Sequence, residues 1–144
     1  MRTFYLFEIK EQVLKNYKNN YEELYDLLES IHYLKTEDII LGYNMFEKLV
    51  NPIKKNKVNN YIKNNNLDNE CYMCYNYTHL INDYYYNEST KMIINNSHIR
   101  IKSNKNVPSF FYNIRNFNNI FVCDFNNHDY FILEETIYNS CVSV

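Results

Sequence analysis

The sequence predicts an α/β or α+β fold, a single domain over residues 1–144 with a central mixed β-sheet flanked by helices. Three observations carry that prediction. An aromatic and β-branched run, TFYLFEI at 3–9, reads as a strand. Three successive segments between residues 11 and 50 then space apolar residues three and four apart, as on one face of a helix. From residue 91 strand-like runs return, interrupted by one short helical segment. No internal repeat and no Pro-, Gly- or Ser-rich linker divides the chain.

The opening run alternates too little to be half exposed, so it belongs in the middle of the sheet. Helical spacing begins at Glu11, with Val13, Leu14 and Tyr17 along one side, and Asn19–Asn20 interrupts it. Tyr21, Leu24, Tyr25, Leu28 and Ile31 form the apolar stripe of a second helix, with Glu22, Glu23, Asp26 and Glu29 opposite. Thr36 reads as the N-cap of a third helix, with Glu37 and Asp38 in its first turn, where carboxylates complement the helix dipole. The buried stripe of that helix is expected to be Ile39, Ile40, Tyr43, Phe46, Leu49 and Val50, and Pro52 stops it near Val50 or Asn51.

Val58, Tyr61 and Ile62 suggest a short polar helix between Lys54 and Asn66, followed by an asparagine loop. The tyrosine-dense stretch 71–86 carries no period that separates helix from strand. KMIIN (91–95) and HIRIK (98–102) read as strands about an Asn95–Asn96 turn. Pro108 suits the first turn of a helix that buries Phe110, Phe111 and Ile114. IFVCDF (120–125) reads as a buried strand and YFILE (130–134) as a final strand after a turn at 126–129. The tail from Thr136 is expected to be loosely held.

Composition removes several function classes. The chain has one glycine, Gly42, whereas a Walker A loop or a GxGxxG turn needs several where backbone approaches phosphate. A G-x-S-x-G nucleophile elbow is excluded for the same reason. A net charge of −2 gives no overall attraction to nucleic acid. No apolar run approaches the length of a membrane span. Glu8, Lys10 and Glu11 break the opening run, so it does not read as a signal peptide, and a cytoplasmic location is expected. Asparagine accounts for 26 residues, which makes the N-x-[ST] matches at Asn76, Asn87 and Asn95 accidents of abundance.

The four cysteines, Cys71, Cys74, Cys123 and Cys141, are expected to be reduced thiols in that compartment. CYMC at 71–74 is half of a zinc site, and the alternative function is a small thiol or zinc module built on Cys71 and Cys74. Cys123, Cys141, His79, His98 or His128 could supply the rest, but no other CxxC, CxxH or HxxxH pair gives the spacing of a second half. Cys123, Asp124, His128 and Asp129 could be drawn as a catalytic set, but in sequence they are only polar residues around a turn. Lys54, Lys55, Lys57 and Lys63, interleaved with tyrosines, could follow a single nucleic-acid strand, against the plainer reading of a solvated helix face. On the first helix Val13 and Tyr17 are four apart and share a face, with Leu14 off it towards the core. A tyrosine there suits a core and a binding hot spot about equally, because its large ring buries much area at small entropic cost.

Three stretches in order resemble the family of sporulation inhibitors of replication, SirA, from Bacillus-type bacteria. They are FYLFEIK with the Lys10-to-Tyr17 spacing, LVNPI at 49–53, and FFYNIRNFNNIFVCDFNNHDYFIL at 110–133. The resemblance implies an interaction module and not an enzyme, without cofactor or metal. It would bind the N-terminal domain of the replication initiator DnaA and thereby inhibit initiation, without direct contact to nucleic acid or membrane, and as a monomer by default. It also implies a contact surface of Val13, Tyr17 and Met45. Tyr17 matches the family's tyrosine, while Val13 replaces an aromatic and Met45 a glutamine, so the patch stays apolar but loses a ring and a polar anchor.

Overall fold

A computed structural model describes residues 1–134. Strand β1 (Arg2–Ile9) is followed by helices α1 (Glu11–Tyr17), α2 (Tyr21–His32) and α3 (Ile39–Leu49), then by the two-residue strand β2 (Val50–Asn51). Helix α4 (Lys55–Asn65) leads into four strands, β3 (Tyr72–Tyr75), β4 (Thr78–Asp83), β5 (Glu88–Ile94) and β6 (Ile99–Ser103). Helix α5 (Phe110–Ile114) and strands β7 (Ile120–Asp124) and β8 (Asp129–Ile132) complete the described chain. The strands form one sheet in the order β3-β4-β5-β6-β1-β7-β8, with β2 paired to the end of β1.

Every strand pairing is antiparallel, which places the fold in the α+β class and corrects the expected mixed sheet. The strand–helix–strand pattern that suggested parallel pairing is present as β6–α5–β7. The two strands run in the same direction, but β1 lies between them and separates them. β1 is central, as its unbroken apolar run requires. Phe4 and Leu6 enter one core, with Ile62 of α4 and Phe110, Phe111 and Ile114 of α5. Phe7 and Ile9 enter the other, with Leu24, Tyr25 and Leu28 of α2. β7 is buried on both faces in the same way.

The turns compensate for the lack of glycine. Asn76, Asn87 and Asn119 adopt positive φ, and so does His128 in the β7–β8 turn. Asparagine tolerates that region best among residues with a side chain. The stretch 71–86, without a clear period in sequence, forms β3 and β4 around Asn76.

Two expectations for α3 are corrected. Thr36 does not cap it; Thr36–Asp38 is a 3-10 turn without a side-chain capping bond, and α3 starts at Ile39. Ile39, Ile40 and Tyr43, expected in the core, are exposed, and Gly42 is the buried residue of this helix. α3 crosses close to α2 there, since a Cβ on Gly42 would strike the side chain of Leu34 just beyond α2. The apolar residues around Gly42 are left pointing outward, and only Phe46 and Leu49 reach the second core. Residues from Thr136, and Cys141, lie outside the described residues.

Candidate partner-binding surface

β1 hands the chain to α1 at Lys10, and β2 takes it from α3 at Val50. Because β2 pairs with Glu8 and Ile9, the start of α1 and the end of α3 are held side by side. The backbone N–H of Lys10 donates to the carbonyl of Leu49 at 3.0 Å. α1 itself buries no residue completely. Val13, Leu14 and Tyr17 are all half-buried and pack against the core cluster of Phe7, Ile9 and α2. Leu14 packs towards the core as its position on the helix predicts, and Val13 and Tyr17 reach the same cluster. Tyr17 rests on the core cluster and keeps part of its surface in water. Met45, on α3 one turn before Leu49, is half-buried and belongs to neither core cluster among the described residues. The start of α1 and the end of α3 are thus joined, with Val13 and Tyr17 on one cluster and Met45 outside it.

Sequence reasoning missed the largest apolar exposure of this region. Ile39, Ile40, Leu41 and Tyr43 are 63%, 76%, 59% and 63% exposed, and Tyr33 at the end of α2 is 59% exposed. A signal was available: four large apolar residues within positions 39–43 span more than a single helix face, so they cannot all be buried against one layer.

The other candidate sites have structural explanations. Asn82 N–H bonds the carbonyl of Cys71, which extends the β3–β4 register by one residue. Cys71 and Cys74, three apart on an extended strand, therefore project to opposite faces and do not converge on one ion. Among the described residues no three His, Cys, Asp or Glu side chains gather as metal ligands. Cys123 is fully buried, and that burial pushes its thiol far above the ordinary range, away from a reactive thiolate.

Asp124 and Asp129 clamp Arg2, whose Nε and Nη2 donate to them at 2.9 and 2.7 Å. Burial alone would raise the Asp124 carboxyl; hydrogen bonds from Asn127 and Arg2 overcome it and hold the group below its ordinary value. His128, the remaining member of that set, is exposed. In the lysine group, Lys55 lies 4.0 Å from the centre of the Tyr77 ring. Lys54, Lys57 and Lys63 are exposed along α4.

One buried polar chain was not foreseen. Tyr72 Oη lies 2.7 Å from Nδ1 of His79, whose Nε2 lies 2.6 Å from Oδ1 of Asn59. Asn59 can only accept at that oxygen, so Nε2 carries the proton and Nδ1 accepts from Tyr72. Burial, with the charge of Lys63 acting in the same sense, lowers the His79 pKa to about 4. The imidazole is a neutral structural strut.

No helix among the described residues is long and apolar enough to cross a membrane. Residues 2–136 match the sequence profile of a family described as sporulation inhibitor of replication protein SirA. No curated protein matches the chain.

Proposed function

The chain belongs to the SirA family of sporulation inhibitors of replication, and from that premise we propose that it binds the N-terminal domain of the initiator DnaA and blocks initiation by occupying that domain's surface. The observation that carries this reading is the uncovered apolar side chains on α3, beside an α1 whose Tyr17 is half in water. Contiguous exposed apolar residues at this scale characterise interaction surfaces. Rigid helices fastened to β1 and β2 present them with little ordering cost on association.

Val13 and Tyr17 form the α1 side of the contact and Met45 the α3 side, with Lys10, Glu11 and Lys15 around the rim. Inhibition then needs only occupancy of a surface that DnaA uses for self-assembly or for recruiting other replication proteins. No bond is made or broken, so the reading is of a regulator and not an enzyme.

Calorimetric titration of the isolated DnaA N-terminal domain from the same organism tests the reading. A one-to-one complex is expected, and absence of heat up to high micromolar concentration removes it. Tyr17→Ala is expected to weaken binding by about 1–3 kcal/mol. The same variant should keep a cooperative melt close to that of the parent.

A further inference from the structure

Helices α1–α3 cover β1 and β7 on one side of the sheet, and their cluster includes no residue of β3–β6. The register determines what the outer face of that arm carries. Met73, Leu80, Lys91 and Lys102 line one row across the four strands, and Tyr75, Thr78, Ile93 and Arg100 line the next. Lys91, Arg100 and Lys102 are exposed, and Leu80 and Ile93 are half-buried between them.

Charge on this face is one-sided. The remaining outward positions of β4 and β5 are Asn82 and Ser89, so none of these strands presents a carboxylate there. The two acids of β4 and β5, Asp83 and Glu88, occupy positions of the opposite face. Glu88 is buried and held by Thr90 and Ser109, while Asp83 accepts the backbone N–H groups of Tyr85 and Tyr86. Lys91 and Lys102 are direct cross-strand partners, an arrangement that destabilises a sheet. Among the described residues no salt bridge reaches Lys91, Arg100 or Lys102. A local conflict of this kind, retained without compensation inside the fold, is the mark of a ligand surface.

The arm also displays aromatic rings. Tyr75 is 79% exposed on the face itself, and the β4–β5 turn adds Tyr84, Tyr85 and Tyr86 at 98%, 87% and 69%. Cations without acids and exposed rings, of which Tyr85 and Tyr86 meet edge to face at 4.8 Å, together suit a polyanion whose flat groups are free to stack. We propose that the outer face of β3–β6 binds single-stranded nucleic acid, with phosphates on Lys91, Arg100 and Lys102 and bases laid against Tyr75 and the Leu80–Ile93 floor. A duplex hides its base faces and would use only the cations. An acidic peptide would use the cations and leave the exposed rings without a matching flat partner. This inference does not depend on DnaA binding, because it uses a different surface.

Fluorescence anisotropy of the full chain with a labelled oligo-dT of ~20 nucleotides tests it. Saturable binding is expected at about 50 mM salt, weakening by about twentyfold at about 200 mM, as three phosphate contacts require. Lys91→Glu should abolish binding yet melt no lower than the parent, because it turns the opposition with Lys102 into a favourable pair. Tyr75→Ala should weaken binding by about fivefold or more with an unchanged salt slope. No binding at about 100 µM protein in the lower salt overturns the proposal. So does equal affinity for a duplex of the same length, tighter binding of labelled polyglutamate, or unchanged binding by Lys91→Glu. A lower melting temperature for Lys91→Glu would overturn the premise that the lysine pair is uncompensated.

Discussion

Asn76, Asn87 and Asn119 hold φ angles of 54°, 52° and 64°, in a chain whose one glycine is spent on a helix crossing. Asparagine serves as this protein's turn residue, and the cost of a Cβ in the left-handed region is carried at each site. Asn76→Ala should therefore destabilise by about 1 kcal/mol in urea denaturation, whereas Asn76→Gly should not. At the same scale, His79 makes stability depend on pH. Its folded pKa is about 4, against an unfolded value of 6.5. The unfolded chain therefore takes up a proton that the folded chain refuses. Stability is complete above pH 6.5 and falls as pH drops from there towards 4, by up to about 3 kcal/mol from this one group. His98, lowered to about 4 by burial and by Arg100 and His32, works in the same window. Denaturation midpoints across that window should fall with acid, and His79→Gln should make the fall shallower. Neither histidine's role could be read from sequence, because both depend on burial among elements that meet only in the fold.

At the scale of elements, α2 and α3 separate what periodicity can and cannot say. In α2 the stripe of Leu24, Tyr25 and Leu28 is buried as spaced. Leu24→Ala should cost about 2–5 kcal/mol by leaving a cavity. In α3 the same spacing failed, because a helix crossing at glycine brings backbone and not side chains to the contact. Ile40→Ser, at a residue 76% exposed, should change stability by less than about 0.5 kcal/mol. If the α3 surface contacts DnaA, the same change should weaken that complex. Thermal melts and the DnaA titration, run on both variants, separate core from contact surface. The strands of the second half were readable where alternation was clean, as in HIRIK. They were unreadable at 71–86, where tyrosine fits either face of a strand.

For the whole molecule, Arg2 ties the first strand to the last described hairpin through Asp124 and Asp129. Arg2→Ala would leave the buried Asp124 carboxylate with only its local partners. A loss of about 2 kcal/mol is expected in denaturant titration, with the sheet otherwise retained. The clamp explains polar residues that in sequence could be drawn as a catalytic set. The chain is nearly neutral overall yet carries a cationic sheet face, since its described acids lie on helices, in turns or on the inner side.

The sequence alone determined the central strand, the helical spans, the absence of glycine-dependent nucleotide sites and the family resemblance. All of these rest on local patterning or on the order of residues along the chain. Tertiary structure decided which apolar side chains of α3 remain in water, that Lys91 faces Lys102, that His79 is a neutral strut and that Cys71 and Cys74 point apart. Each of those depends on which distant backbone lies alongside, and exposure and pairing are properties of that neighbour as much as of the residue itself.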